Sequence, residues 1–389
     1  MGKKSIGDIL KKNTMIIALV LVVLFFYWST GGKILYAQNI NNLISQNAYV
    51  FVLATGMLLC ILTGGNIDLS VGSVVCFVGG IGAVMMDKGM NPWLAVAAML
   101  IVGLLVGMFQ GFWIAYIKVP PFIATLAGMY AFRGLSNVVL QGYAVSVTDT
   151  TYLKVFGGGA DCYVPDFFGG ANLNITCLGL GLILAALYIL MTVKSRISKK
   201  TKGYPTEPFA TEALKTAVIS VVIVWLMYKL AQYKGIPSAL IWIAIVLLAY
   251  AYITQKTATG RYLYAVGGNE KATRLSGVNT KKVYFFAYAN MGLLAGLAGI
   301  LTIARAASAQ PTYGQGYEMD AIAACFIGGA SAYGGVGSVA GMVVGAVLMG
   351  VINQGMSIMG MEANYQKVVK GVVLLVAIIF DVMSKKEKK

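Results

Sequence analysis

Long apolar runs recur along the chain, most of them close to the ~20 residues a helix needs to cross a bilayer, with short polar or glycine-rich interruptions between them. Spans are predicted at about 14–30, 48–64, 71–86, 93–116, 121–140, 175–193, 214–233, 237–254, 284–306, 320–332, 337–353 and 366–383. The segments 71–86 and 320–332 are interrupted by glycine and read as half-helices or re-entrant pieces. This is the pattern of an all-α, polytopic helical membrane protein with about 10–12 transmembrane helices. The polar interruptions are too short for an independent core, so residues 1–389 read as one transmembrane domain.

Composition agrees with the pattern. At 58% apolar and 11% charged, the chain has too little polar surface to cover a soluble globule. A formal charge of +16 would suggest nucleic acid in a soluble protein, but twenty of the 30 lysines and arginines fall in 1–13, 194–215, 256–282 and 385–389. Loop 141–174 holds only Lys154 against Asp149, Asp161 and Asp166. The positive-inside rule therefore puts both termini and the two basic loops in the cytoplasm, with 141–174 as an extracytoplasmic loop. The partner implied is membrane lipid, not nucleic acid. The run Thr14–Thr30 follows a basic flank without an Ala-x-Ala-like site and reads as an uncleaved first span.

The polar segment 255–283 stands out between these helices. Asn269 can cap a short helix with Glu270 in its first turn, Arg274 in its last and Gly277 as a left-handed stop. Such a helix on the cytoplasmic side offers a grip to a soluble partner; an ordinary basic loop is the plainer reading of the same residues.

Asn66, Asp68, Ser70 and Ser73 bring polar groups to membrane depth, where they must face protein or water. They read as a broken helix lining a translocation path, or Asp68 simply caps the helix that follows. Arg133 lies within its span and could pair with Asp68. Arg305, Lys367 and Lys370 lie toward span ends, where snorkelling to the headgroups accounts for them. Gly337, Gly341 and Gly345 form a ladder suited to close helix packing. Residues 64–74 and 328–339 echo each other, each opening on a glycine pair and ending in VGSV; corresponding glycine-interrupted segments can mark a repeat interface.

An enzyme finds little to work with. There is no histidine, no HExxH or GxSxG motif, and no GxxxxGK[ST] phosphate loop. Five cysteines without histidine argue against a metal site; Cys60, Cys76 and Cys325 read as packing, and Cys162 and Cys177 lie in or beside the outer loop, where a disulfide is chemically permitted. Three classes remain: a pump subunit served by a separate ATPase, a passive channel, or an ion-coupled secondary carrier. The scarcity of intramembrane carboxylates, with Asp68 clear and Asp320 borderline, weighs against the last.

The segments GGNIDLSVGS (64–73), GRYLYAVGGNEKATRLSGVN (260–279) and GYEMDAIAACFIGGASAYGGVGSVAG (316–341) resemble the permease subunits of bacterial monosaccharide ABC importers, the ribose, galactose and xylose group. Residues 175–233 depart from the ribose-type pattern by about two added spans and a basic loop, which is similar to the xylose and multiple-monosaccharide permeases. The resemblance implies a permease homodimer in the bacterial cytoplasmic membrane, a cytoplasmic ABC ATPase and an extracytoplasmic sugar-binding protein. It also implies that this chain binds no cofactor, ATP being used by the partner. The docking helix becomes a coupling helix whose matching positions are Gly267, Gly268, Asn269, Glu270, Ala272, Arg274, Leu275, Ser276 and Gly277.

Overall fold

The computed structural model describes residues 14–170, 173–206 and 208–386. Sixteen α-helices make up nearly all of it, with one short ribbon in which β1 (Val145–Ser146) pairs antiparallel with β2 (Ser308–Ala309). In chain order the helices are α1 Thr14–Ser29, α2 Ala37–Gln46, α3 Ala48–Leu62, α4 Val71–Asp87, α5 Pro92–Phe112, α6 Pro121–Leu140, α7 Thr150–Phe156 and α8 Ile175–Thr201. They continue as α9 Phe209–Ala231, α10 Ser238–Lys256, α11 Ala258–Gly268, α12 Glu270–Leu275, α13 Thr280–Ala306, α14 Tyr317–Ile327, α15 Val339–Ile358 and α16 Ala363–Lys386.

Many helices begin where a short polar side chain can take up an orphan backbone N–H. Asn91, Asp149, Asn174, Thr257, Asn279 and Ser338 each accept from a backbone N–H in the first turn that follows them. The apolar runs then propagate to the next glycine, proline or polar cluster.

Among the described residues seven helices are long and apolar enough to cross a membrane, or eight if the bent pair α2 and α3 counts as one span. The sequence pattern predicts more because hydropathy does not register where a helix stops. Helix α14 halts at Gly328 after 11 residues, a half-helix, whereas α4 runs 17 residues unbroken through its glycines. The chain is a multi-pass helical membrane protein.

The described residues divide into two compact units, one of 14–34, 43–162 and 239–386, the other of 35–42 and 163–238. In the larger unit α13 and α15 are central: 72% and 67% of their apolar windows are buried, against 17% for α8 and α9 of the smaller unit. Helices α5 and α13 approach backbone to backbone, Gly103 and Gly107 lying against Gly292 and Gly296 with no room for a side chain between them. Of the expected ladder, only Gly341 and Gly345 lie on α15, against Gly328 and Ala324 at the end of α14; Gly337 precedes the helix, because Ser338 caps it.

In the smaller unit α8 and α9 form a hairpin, joined by an ion pair of Arg196 with Glu212, and Arg196 also lies over the Phe209 ring. This unit contains the added segment 175–233. The turn into α8 is organised by Asp166, which accepts from the backbone N–H groups of Phe168, Gly170, Ile175 and Thr176. Those bonds, that of Gly170 foremost, hold its carboxyl well below the usual carboxylate range. All five cysteines are free thiols; Cys162 donates to the Gly159 carbonyl and Cys177 to that of Met227, so no disulfide joins them.

Candidate functional site: a coupling helix seated on a loop junction

Segment 255–283 folds as α11, a one-residue joint at Asn269, and the six-residue α12. Asn269 is extended, and its Oδ1 accepts from Ala272 N–H at 2.9 Å, capping α12 as the sequence predicts. At the other end Gly277 adopts φ +89°, its N–H donating to Arg274 O while Val278 N–H reaches back to Thr273 O. This pair of bonds is the Schellman stop that glycine permits without strain. Asn269, Ala272, Arg274, Ser276 and Gly277 are exposed, and Leu275 is 77% exposed at the tip. Arg274 and Leu275 thus stand exposed side by side on a doubly capped turn.

The root of this helix is the opposite of exposed. A Cβ on Gly267 would overlap the Leu62 carbonyl oxygen and the Gly335 nitrogen, so α11 ends in backbone contact with two other loops. Leu62 closes α3 just before the first echoing segment, 64–74, and Gly335 lies in the second, 328–339. Gly335 N–H donates to Leu62 O at 3.1 Å, Gly65 lies directly on the Ala332 carbonyl, and Tyr264 Oη donates to Gly337 O at 2.9 Å. Thus the echo predicted from sequence marks a physical junction, with Gly267 wedged against it.

Glu270 then ties the helix to α13. Its carboxylate accepts from Thr280 Oγ1 and Tyr284 Oη, both at 3.1 Å, with Lys118 Nζ at 3.7 Å. Lys118 sits at φ +68°, ending a π-helical turn, Trp113–Ile117, that closes α5. Sequence reading placed Glu270 in the first turn for its charge alone; the clamp needed Tyr284 and Lys118, which lie far off along the chain or on another helix.

The polar residues at membrane depth form a separate, closed cluster. Ser70 donates to Asp68 Oδ1 through both its N–H, at 2.8 Å, and its Oγ, at 2.6 Å, and Gln110 Nε2 donates to Ser70 Oγ at 2.7 Å. Asp68 therefore does not cap α4: Ser70 occupies that position, and the Asp68 carboxylate is spent on a turn two residues long. Asn66 bonds back to Thr63, and Ser73 Oγ is buried without a partner among the described residues. The space bounded by Asp68, Ser70, Gln110 and Met291 is too small for a water molecule.

Two intramembrane charges lie elsewhere than expected. Arg133 donates to the carbonyls of Pro311 and Tyr313, at 3.1 and 2.7 Å, and not to Asp68. Lys370 does not snorkel: it pairs at 2.9 Å with Asp320, whose side chain is fully buried and also accepts from Tyr49 Oη at 2.6 Å. Burial made Asp320 the stronger attraction.

The chain matches the family described as the branched-chain amino acid transport system / permease component over residues 39–173 and 162–378, nearly its whole length. The chain belongs to this permease family. Among curated proteins the permease is similar to the xylose transport system permease protein XylH of Escherichia coli K12, 36% identical over 390 residues, covering 99% of this chain and 94% of the relative. It is 37% identical to the XylH of Haemophilus influenzae over 374 residues, 96% of each chain. With the ribose import permease protein RbsC of Escherichia coli K12 it shares 35% over 373 residues, 96% of this chain and 94% of the relative. No solved structure matches the permease. Its role is passage of solute, not catalysis.

Proposed function

We propose that this permease is the membrane subunit of an ATP-driven importer for a neutral monosaccharide, a pentose such as xylose or a related aldohexose, in the bacterial cytoplasmic membrane. It works as a homodimer with a cytoplasmic ABC ATPase, which hydrolyses the ATP, and an extracytoplasmic sugar-binding protein; both termini and 255–283 face the cytoplasm, and 141–174 faces outward. The observation that carries this reading is α12 itself, capped at both ends, exposed at Arg274 and Leu275, yet rooted by Gly267 in the loop junction and by Glu270 in α13. A push on its exposed face reaches the interior through backbone and through one carboxylate. Sugar, not amino acid, is favoured because the full-length relatives carry xylose and ribose in their names.

Uptake of radiolabelled xylose or ribose should survive collapse of the proton and sodium gradients at constant cellular ATP, and should stop when the partner ATPase is deleted. Uptake that follows an ion gradient instead identifies a secondary carrier. Within α12, Gly277→Val forces a β-branched residue into left-handed backbone at a cost of about 1–2 kcal/mol, and Arg274→Glu reverses a charge favourable to the helix end. Both variants should reach the membrane at normal abundance, recover less ATPase on affinity purification and lose substrate-stimulated ATP hydrolysis. Unmodified ATPase recovery and transport in both would reduce α12 to a basic loop.

A further inference from the structure

At the end of α13 opposite the coupling helix lies a partly open cavity of 270 Å³, bounded by the junction of α2 and α3, the last turns of α13 and the segment leading into α14. It is smaller than the roughly 300–1,000 Å³ of clefts for drug-sized ligands and suits a small solute. Three tyrosines line it, and each ring is fixed by a second contact. Tyr49 and Tyr317 stack on one another with centroids 3.5 Å apart, and the Tyr49 hydroxyl is anchored on Asp320, itself held by Lys370. Tyr313 is fixed at both ends, its carbonyl by Arg133 and its hydroxyl by Ser308 Oγ at 3.1 Å. Around these rings stand Gln46 and Arg305, both exposed, neither with a side-chain partner among the described residues.

We infer that this cavity is a monosaccharide subsite of the permease itself, in which a sugar ring stacks on the tyrosine faces while Gln46 and Arg305 hydrogen-bond its hydroxyls. A pyranose or furanose offers an apolar C–H face and a rim of hydroxyl donors and acceptors. The cavity supplies the complement of both: flat aromatic surface held in place beforehand, and side chains rich in donors that no other described residue occupies. The buried ion pair of Asp320 and Lys370 acts here as a positioning element, since it aims the Tyr49 ring through its hydroxyl. The inference rests on the sugar-import reading above and adds to it a place where the solute pauses after the binding protein releases it.

The test uses a thiol introduced at the cavity rim. All five native cysteines are buried, so Ala306→Cys places an exposed thiol at the rim of the cavity while leaving Gln46 and Arg305 in place. The full-length variant, in membranes with its ATPase, is labelled with a maleimide in the presence of D-xylose, D-ribose, D-glucose or L-leucine, and uptake of the same four compounds is measured on the unmodified importer. Whichever sugar is imported should slow labelling by about tenfold at ten times its half-saturating concentration, and leucine should not. Adding Tyr313→Ala should raise the sugar concentration required by about threefold to tenfold. Import of a sugar that leaves labelling at position 306 unchanged overturns the subsite while sparing the sugar-import reading. Import of leucine and of no sugar overturns that reading, and the subsite falls with it.

Discussion

Gly267→Ala should abolish import, whereas Gly268→Ala, one residue on, should leave it at the unmodified rate. Neither substitution asks for an unusual backbone conformation, since neither glycine has positive φ. Space alone separates them. A methyl group on Gly267 would overlap the Leu62 carbonyl oxygen and the Gly335 nitrogen, while one on Gly268 meets nothing within 4 Å. Overpacking in a core typically costs about 1–3 kcal/mol because side chains shift to make room. Here the obstructing atoms are backbone, joined to each other by the Gly335 to Leu62 hydrogen bond, so relief requires α11 to lift off the junction and carry α12 away with it. Import rate, ATPase recovery and thermal unfolding in detergent, read side by side for the two variants, decide the matter; equal behaviour in all three measurements would contradict the proposed seating.

Lys370→Met should be among the most damaging single changes outside the coupling loop. It leaves Asp320 buried, with Tyr49 Oη its sole remaining side-chain partner among the described residues and Oδ1 already without one there. Removing one member of a buried pair costs about 3–5 kcal/mol, whereas replacing both by neutral groups of similar size is often nearly neutral. The double variant Lys370→Met with Asp320→Asn should therefore recover most of the thermal stability and membrane abundance that the single variant loses. A single variant as stable as the double would show that the pair contributes nothing to the fold.

The contrast between these sites shows what one sequence makes legible. Helices and caps are written locally: Asn269 and Gly277 stand eight residues apart, and the apolar runs announce their own spans. The glycine echo was visible too, although sequence alone could not say that 62–65 and 332–335 touch each other, still less that Gly267 closes the same junction. Pairings across distance stayed hidden. Lys370 lies 50 residues from Asp320, and Tyr49 lies 271 residues from it, so each looked explicable by its own surroundings, Lys370 as a snorkelling side chain. Of the two readings of Asp68, the capping one fails for the converse reason. A capping position is a matter of where the helix starts, and α4 starts at Val71, which gives the role to Ser70 and turns the aspartate inward. The cavity tyrosines carried no signal at all, because an aromatic residue in a membrane helix is unremarkable until its neighbours are known.

Helix α13 runs unbroken for 27 residues from Thr280, beside the Glu270 clamp, to Ala306, beside the tyrosine cavity. Its tightest contact, Gly292 and Gly296 on Gly103 and Gly107, falls near the middle, leaving arms of about 20 Å on either side at 1.5 Å per residue. A rod pinned at its centre behaves as a see-saw with equal arms. Displacing one end inward by about 2 Å moves the other outward by as much, a tilt of roughly six degrees on arms of that length. If α12 is the coupling helix, as proposed, this one fulcrum of four glycines sets the two ends of α13 in antiphase, and pressing α12 should make the cavity end yield.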